Sequence, residues 1–223
     1  MLTTLFVGLV AGSVHALSGP DHLAAVAPLS LTATRRPWLV GLRWGLGHAL
    51  GVGVVGALVL PLRSLLNLQA LSFWSERLVG LMLIGVGLWG LGRASSKWIH
   101  SHHHRHGTDA HVHIHLHKPG QVQHWSGSHR HSHATLGVGL LHGVAGTSHL
   151  FGLLPALALP DQLGAASYIA GYGAGNLLAM GSFTGLVGLA NTRLQALGAR
   201  SYCAVLGACS IAAIGMGLIW LVT

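Results

Sequence analysis

At 223 residues the chain has the length of one or two soluble domains, yet 51% of it is hydrophobic and only 7% is charged, where a soluble domain carries roughly a quarter of its residues as charges. That balance excludes an ordinary soluble domain and makes a lipid bilayer the expected solvent. The formal charge of +8 does not point to nucleic acid, because the basic residues sit in short gaps between apolar runs and form no stripe with interleaved aromatics.

Six stretches contain the roughly 20 mostly apolar residues that a membrane helix needs: 2–31, 38–60, 76–93, 135–158, 164–190 and 201–222. The first is too long for one straight helix, and Ser18, Gly19 and Pro20 interrupt it, which predicts two half-helices or a helix followed by a re-entrant piece. The string VHA at 14–16 loosely resembles a leader cleavage site, but no Lys or Arg precedes Arg35, so the N-terminus is read as part of the first span. Asp21 is the one acidic residue deep inside a predicted span, whereas Glu76 falls at a boundary. Between the third and fourth spans lies a polar linker of low complexity holding 13 of the 18 histidines. Its HVHIHLH tract would align four imidazoles on one side if extended, which fits a buffer, sensor or delivery segment. Cys203 and Cys209 share the last apolar run, where a disulfide within one helix is geometrically unfavourable. With Met82, Met180 and Met216 they are expected to pack rather than to bind metal.

Six passes place Arg35, Arg36, Arg93, Lys97, Arg105, Lys118, Arg130, Arg193 and Arg200 on one face and only Arg63 and Arg77 on the other. The basic face, with the His-rich loop, is therefore expected in the cytoplasm of a multi-pass cell-membrane protein, and both termini outside.

The two halves resemble each other. HALSGPDH at 15–22 aligns with HGVAGTSH at 142–149, each with histidines seven apart, a Gly four after the first (Gly19, Gly146) and a Pro six after the second (Pro28, Pro155). Downstream, Gly45, Gly47 and His48 align with Gly173, Gly175 and Asn176, and Gly85 and Gly87 with Gly215 and Gly217. Three spans per half make the second copy enter the bilayer in the opposite sense, the plan of many secondary transporters. The expected fold is thus an all-α integral membrane protein of about six transmembrane helices in two inverted three-helix repeats, the first helix of each interrupted. The expected divisions are 1–93, 94–134 and 135–223.

On an unbroken helix His15 and His22 would stand about 10.5 Å apart along the axis, too far for one ion whose metal–nitrogen bonds are about 2.0–2.1 Å. Opening the helix at Ser18, Gly19 and Pro20 removes that obstacle, since Gly permits unusual backbone angles and Pro suits the first turn of a new half-helix. Asp21 and His22 then fall in that first turn, where the helix dipole stabilises a carboxylate. Imidazole with one carboxylate suits Ni²⁺, Co²⁺, Zn²⁺ or Fe²⁺ better than Mg²⁺ or Ca²⁺. The candidate metal-ligating residues are His15, Asp21, His22, His48, His142, His149 and Asn176. For His48 the plain alternative is a packed, hydrogen-bonded histidine. Ser148 and Asn176 stand where the first half has Asp21 and His48, which places the main site in the first half and leaves His142 and His149 as ligands or gates.

Around these residues the chain resembles the nickel/cobalt transporter superfamily, including its urease-accessory membrane proteins, whose early helix carries His-Ala-x-Asp-x-Asp-His. Here His15, Ala16, Asp21 and His22 match, with five residues between His15 and Asp21 and no counterpart of the first aspartate among Leu17, Ser18 and Gly19. The resemblance is strongest over 8–50, and the His-rich loop is similar to that of nickel and cobalt efflux members. It implies movement of Ni²⁺ or Co²⁺ as substrate by a single polypeptide. A cytoplasmic metal chaperone or metalloenzyme maturation proteins are the candidate partners besides lipid. No phosphate loop and no H-E-x-x-H motif occur, so neither ATP hydrolysis nor an enzyme of the zincin kind is expected. A membrane metal sensor that binds without transport is the competing class.

Overall fold

The computed structural model describes residues 1–33, 36–62, 67–95, 99–106, 109–116, 131–145 and 152–223, with side chains described in all of these except 59–62, 68, 99–106, 109–116 and 131–133. Helix α1 spans Leu2–Ser18 and α2 spans Pro20–Leu31, meeting at a 72° bend. Helix α3 covers Trp38–Leu62 and α4 covers Leu68–Ala94. Strands β1 (Ile99–His106) and β2 (Asp109–Leu116) pair as an antiparallel hairpin. Helix α5 is His131–Ala145, α6 the single turn Leu154–Leu157, α7 Gln162–Ala196 and α8 Ala199–Val222.

Local signals explain the boundaries. Asn67 accepts from the amide of Ala70 at 3.0 Å and starts α4, while Asp161 accepts from Gly164 at 2.6 Å and starts α7, each satisfying an amide that the first helical turn leaves without an acceptor. The Asn67 cap carries the third apolar stretch back to Leu68, eight residues before its expected start at Glu76. Gly198 enters α8 at φ 103°, a backbone region in which a side chain is strained.

Among the described residues four helices are long and apolar enough to cross a membrane, five if the bent α1–α2 pair is one span. The expected stretch 135–158 contains α5, too short to count, and α6, with residues between them outside the described set. This is a multi-pass membrane protein. Leu50, Leu81, Leu88, Leu186, Leu189 and Ile211 are exposed on its helices, as lipid contact requires. In the hairpin, His100 stands opposite His115, His102 opposite His113 and His104 opposite His111. His117, the last of the HVHIHLH histidines, lies outside the described residues.

Helix pairing is set by small residues. Helix α1 packs along α7, α3 along α5 and α4 along α8. A Cβ on Gly12 would overlap the backbone of Tyr172, and one on Gly139 that of Trp44. Gly175 meets Leu9 and Gly47 meets Leu136 in the same way, while Gly80 meets Gly217 and Gly87 meets Ser210. Within lipid, where apolar burial gives no preference for helix over solvent, such close approach is the main source of association. The central core collects Ala16, Ala25, Val26, Trp44, Leu83 and Met180, with Met82 and Met216 against it. Cys203 and Cys209 pack on a second cluster around Leu31, Tyr202 and Leu206, as expected of structural sulfur.

The end of α2 is held by the second half of the chain. The Leu31 carbonyl accepts from Asn191 Nδ2 at 2.9 Å and from the Tyr202 hydroxyl at 3.5 Å, and both donors are buried. Losing a buried hydrogen bond and leaving an acceptor unsatisfied costs about 1–3 kcal/mol. Asn191→Leu is expected to destabilise the protein by about that amount, read as a lower thermal-unfolding midpoint in detergent.

Candidate metal site

The site begins with a missing hydrogen. In a continuing helix the carbonyl of Ala16 would accept from the amide of residue 20, but Pro20 has no amide hydrogen. His22 takes the vacated place: its Nδ1 lies 3.4 Å from the Ala16 oxygen. A carbonyl only accepts, so Nδ1 carries the proton and Nε2 keeps its lone pair, the arrangement in which a second partner orients a metal-binding imidazole.

Gly19 joins the half-helices at φ −79° and ψ 103°, extended backbone open to any residue. The sequence suggested a glycine chosen for unusual angles; the structure shows one chosen for space. A Cβ there would stand 2.7 Å from His22 Nδ1 and 3.0 Å from Asp21 Oδ1. Pro20 occupies the first position of α2 and Asp21 its first turn, where the dipole favours a carboxylate.

Around the bend the side chains converge. The ring of His22 lies 4.9 Å from that of His15, 5.0 Å from that of His48 and 4.9 Å from that of His142. Asp21 Oδ2 accepts from His142 Nε2 at 3.1 Å. His15 comes from α1, Asp21 and His22 from α2, His48 from α3 and His142 from α5, so both halves of the chain contribute. Asp21 is 5% exposed, His22 and His48 1%, His142 0%, whereas His15 is only partly buried. The cluster therefore has a deep end and a shallower end at His15.

Two overlapping sets of donors fit a small cation. In His15, His22 and His48, and again in Asp21, His22 and His142, one ligand atom per residue lies within 4.8 Å of the others. Donors bound to one ion at about 2.1 Å in a tetrahedral shell stand about 3.4 Å apart, so each set closes on an ion with shifts of up to about 0.7 Å per side chain. His22 belongs to both. The donor chemistry is imidazole-rich with one carboxylate, which suits borderline divalent ions rather than the oxygen cages of Mg²⁺ or Ca²⁺.

Of the seven residues singled out in the sequence, five meet here. His149 lies outside the described residues. Asn176 is buried on α7, one turn beyond Tyr172, whose ring is 5.6 Å from that of His15. Sequence reasoning missed Trp44, fully buried and stacked on His48 with ring centroids 5.0 Å apart and planes 6° from parallel. Its signal was position, four residues before His48 and so on the same helical face.

The urease accessory protein UreH of Bacillus sp. (strain TB-90) is 30% identical over 192 residues, covering 85% of this chain and 78% of that protein. The chain belongs to the UreH family. Two Arabidopsis thaliana proteins, chloroplast proteins FOR GROWTH AND FERTILITY 2 and 1, are each 34% identical over 219 and 218 residues, covering 98% and 97% of the chain. The chain spans little more than half of their lengths, 56% and 58%. No family model matches, and no solved structure does.

In this UreH-family chain the bend itself is testable. Pro20→Ala supplies the missing amide to Ala16 and deprives His22 of its orienting partner, and Gly19→Ala pushes directly on His22 and Asp21. Loss of such outer partners weakens metal affinity by about 10–100-fold, and each variant is expected to show a loss of that size in Co²⁺ titrations of the purified protein.

Proposed function

We propose that the chain carries a divalent transition-metal cation, Ni²⁺ or Co²⁺ first among them and Zn²⁺ or Fe²⁺ next, across the membrane through the histidine cluster at the bend between α1 and α2. The observation that carries this reading is the convergence of four imidazoles and one carboxylate from both halves of the chain at a buried helix break. Ionisable groups are costly in the membrane interior and are kept there for function. Membership of the UreH family, a urease accessory protein by name, agrees with metal handling.

The two overlapping donor sets give the ion a path. It enters at His15, His22 and His48, keeps His22, and exchanges the other two partners for Asp21 and His142. Asp21 and His142 hold each other at 3.1 Å, and the His142 nitrogen that donates to Asp21 cannot present a lone pair to a metal at the same time. For His142 to ligate the ion through Nε2, the proton on that nitrogen moves to Nδ1, which leaves a neutral imidazole with its Nε2 lone pair on the metal. The chain acts here as a carrier and not as an enzyme.

We further read the fold as two inverted repeats of three spans. The register that aligns His15 with His142 and Gly45 with Gly173 maps the Gly12–Tyr172 approach onto Gly139–Trp44 and the Gly175–Leu9 approach onto Gly47–Leu136. The register of Gly85 and Gly215 maps Gly80–Gly217 onto Gly87–Ser210. Internal two-fold symmetry in the membrane plane, with substrate at the interface of the repeats, is the plan of many secondary transporters. The His-bearing hairpin between the halves serves as a cytoplasmic metal buffer, the termini lying on the other side.

Proteoliposome flux of ⁶³Ni²⁺ or ⁵⁷Co²⁺ tests the reading. Asp21→Asn and His22→Ala are expected to reduce flux to that of empty vesicles while the protein remains monodisperse in detergent. Removal of residues 99–116 lowers the total metal bound and leaves a saturable flux. Binding without flux in the unaltered protein would favour the sensor reading instead, and full flux in Asp21→Asn would sink the assignment of the site.

A further inference from the structure

The shallow end of the cluster is covered by a residue that the carrier reading has not used. Tyr172 on α7 is 6% exposed, its ring 5.6 Å from that of His15. Its hydroxyl has no hydrogen-bond partner among the described residues. The ring lies between His15 and the backbone of Gly152, where a Cβ would overlap the phenol. Neighbouring Tyr168 behaves differently, since its hydroxyl donates to the Gly152 carbonyl at 3.0 Å. Tyr172 also sits outside the central core, in a small apolar cluster with Ala156 of α6, Tyr168, Ala11 and Leu153.

The other end of the cluster is closed by Trp44, fully buried, 5.2 Å from the His22 ring and 5.3 Å from that of His142. Tyr172 and Trp44 are equivalent positions of the two halves, each one residue before a Gly-x-Gly (Gly45, Gly47; Gly173, Gly175), and each presents its backbone to a glycine of the partner helix, Gly12 for Tyr172 and Gly139 for Trp44. Their chemistry differs where it matters. An indole nitrogen is a donor only and offers a cation no lone pair, whereas a phenol oxygen accepts as well as donates.

We infer that Tyr172 is the gate of the metal site: its ring closes the His15 end, and its hydroxyl, without a partner among the described residues, takes the ion or its hydration water as the ion passes to or from His15. A buried hydroxyl without a partner is unfavourable, and a partner that arrives only during passage gives it a reason to be there. With no side chain at Gly152, the phenol rests directly against that backbone. The inference rests on the metal-carrier reading and adds to it the residue that controls access.

The test separates rate from affinity. The purified full chain in detergent is loaded with Co²⁺, its affinity measured by titration and its release followed after mixing with excess EDTA. Tyr172→Ala removes the barrier and is expected to release Co²⁺ about tenfold faster, with a Kd within about threefold of the unaltered protein. Tyr172→Phe keeps the barrier, loses the oxygen and is expected to release more slowly, whereas Gly152→Ala puts a Cβ into the resting place of the phenol and is expected to release faster, as Tyr172→Ala does. A packing role would leave Tyr172→Phe unchanged. Opposite signs for Ala and Phe at one position support the gate. Unchanged release in all three variants, or changes of one sign that track a loss of affinity, overturns it while leaving the metal site standing. Failure of the unaltered protein to bind Co²⁺ overturns the metal reading and the gate together.

Discussion

The arrangement depends on one absent donor. Because Pro20 has no amide hydrogen, the Ala16 carbonyl is left without its helical partner, and His22 Nδ1 supplies one from the next half-helix. That contact fixes three things together. It stabilises the end of α1, sets the tautomer of His22 so that Nε2 keeps its lone pair, and holds the 72° bend that brings His15 and His22 to a ring separation of 4.9 Å. On a straight helix the same two residues would be separated by about 10.5 Å of axial rise. The bend is therefore what turns a sequence spacing into a binding geometry, and Gly19 allows it by leaving space for His22 and Asp21.

Broken backbone at membrane depth must be surrounded by protein, and the glycine contacts provide the enclosure. Helix α7 approaches α1 at Gly8, Gly12, Gly171 and Gly175, and α5 approaches α3 at Gly47, Gly51, Gly139 and Gly143. Each contact lets two backbones come closer than side chains would permit, which draws His48 and His142 in beside the bend. At the same time the end of α2 is secured by Asn191 and Tyr202. The half-helix that bears Asp21 and His22 is thus anchored at both ends, and its ligands are held by parts of the chain far away in sequence.

Much of this was legible before any coordinates. Ser18, Gly19 and Pro20 announced the break, and the spacing of His15, Asp21 and His22 announced that it would bring them together, because chain-local geometry alone decides whether those residues can meet. The alignment of the halves drew attention to His48 and His142 but could not place them, since their approach depends on glycine contacts between helices far apart in sequence. Trp44 and Tyr172 were invisible for a related reason: an aromatic in an apolar span has no signature until its neighbours are known. The boundary of α4 was missed because a single Asn67 side chain, not the apolar pattern, sets where that helix starts. The role of Gly19 was assigned to backbone angle when it is the side chains of residues 21 and 22 that exclude a Cβ.

The resting site is already electrostatically provisioned. A buried carboxylate with no counterpart would be strongly destabilising, and Asp21 meets that demand by accepting from His142 at 3.1 Å. The three-imidazole set sits toward the shallower end at His15. On the proposed carrier reading, an ion that reaches Asp21 displaces its contact with His142. Binding at the deep position is thus an exchange, a proton contact for a metal contact, and its net gain is smaller than the sum of the bonds formed. A dication beside one carboxylate also leaves uncompensated positive charge in surroundings of low dielectric. Both effects act in the same direction: they would keep a bound ion exchangeable, which the proposed carrier role requires and a storage role does not.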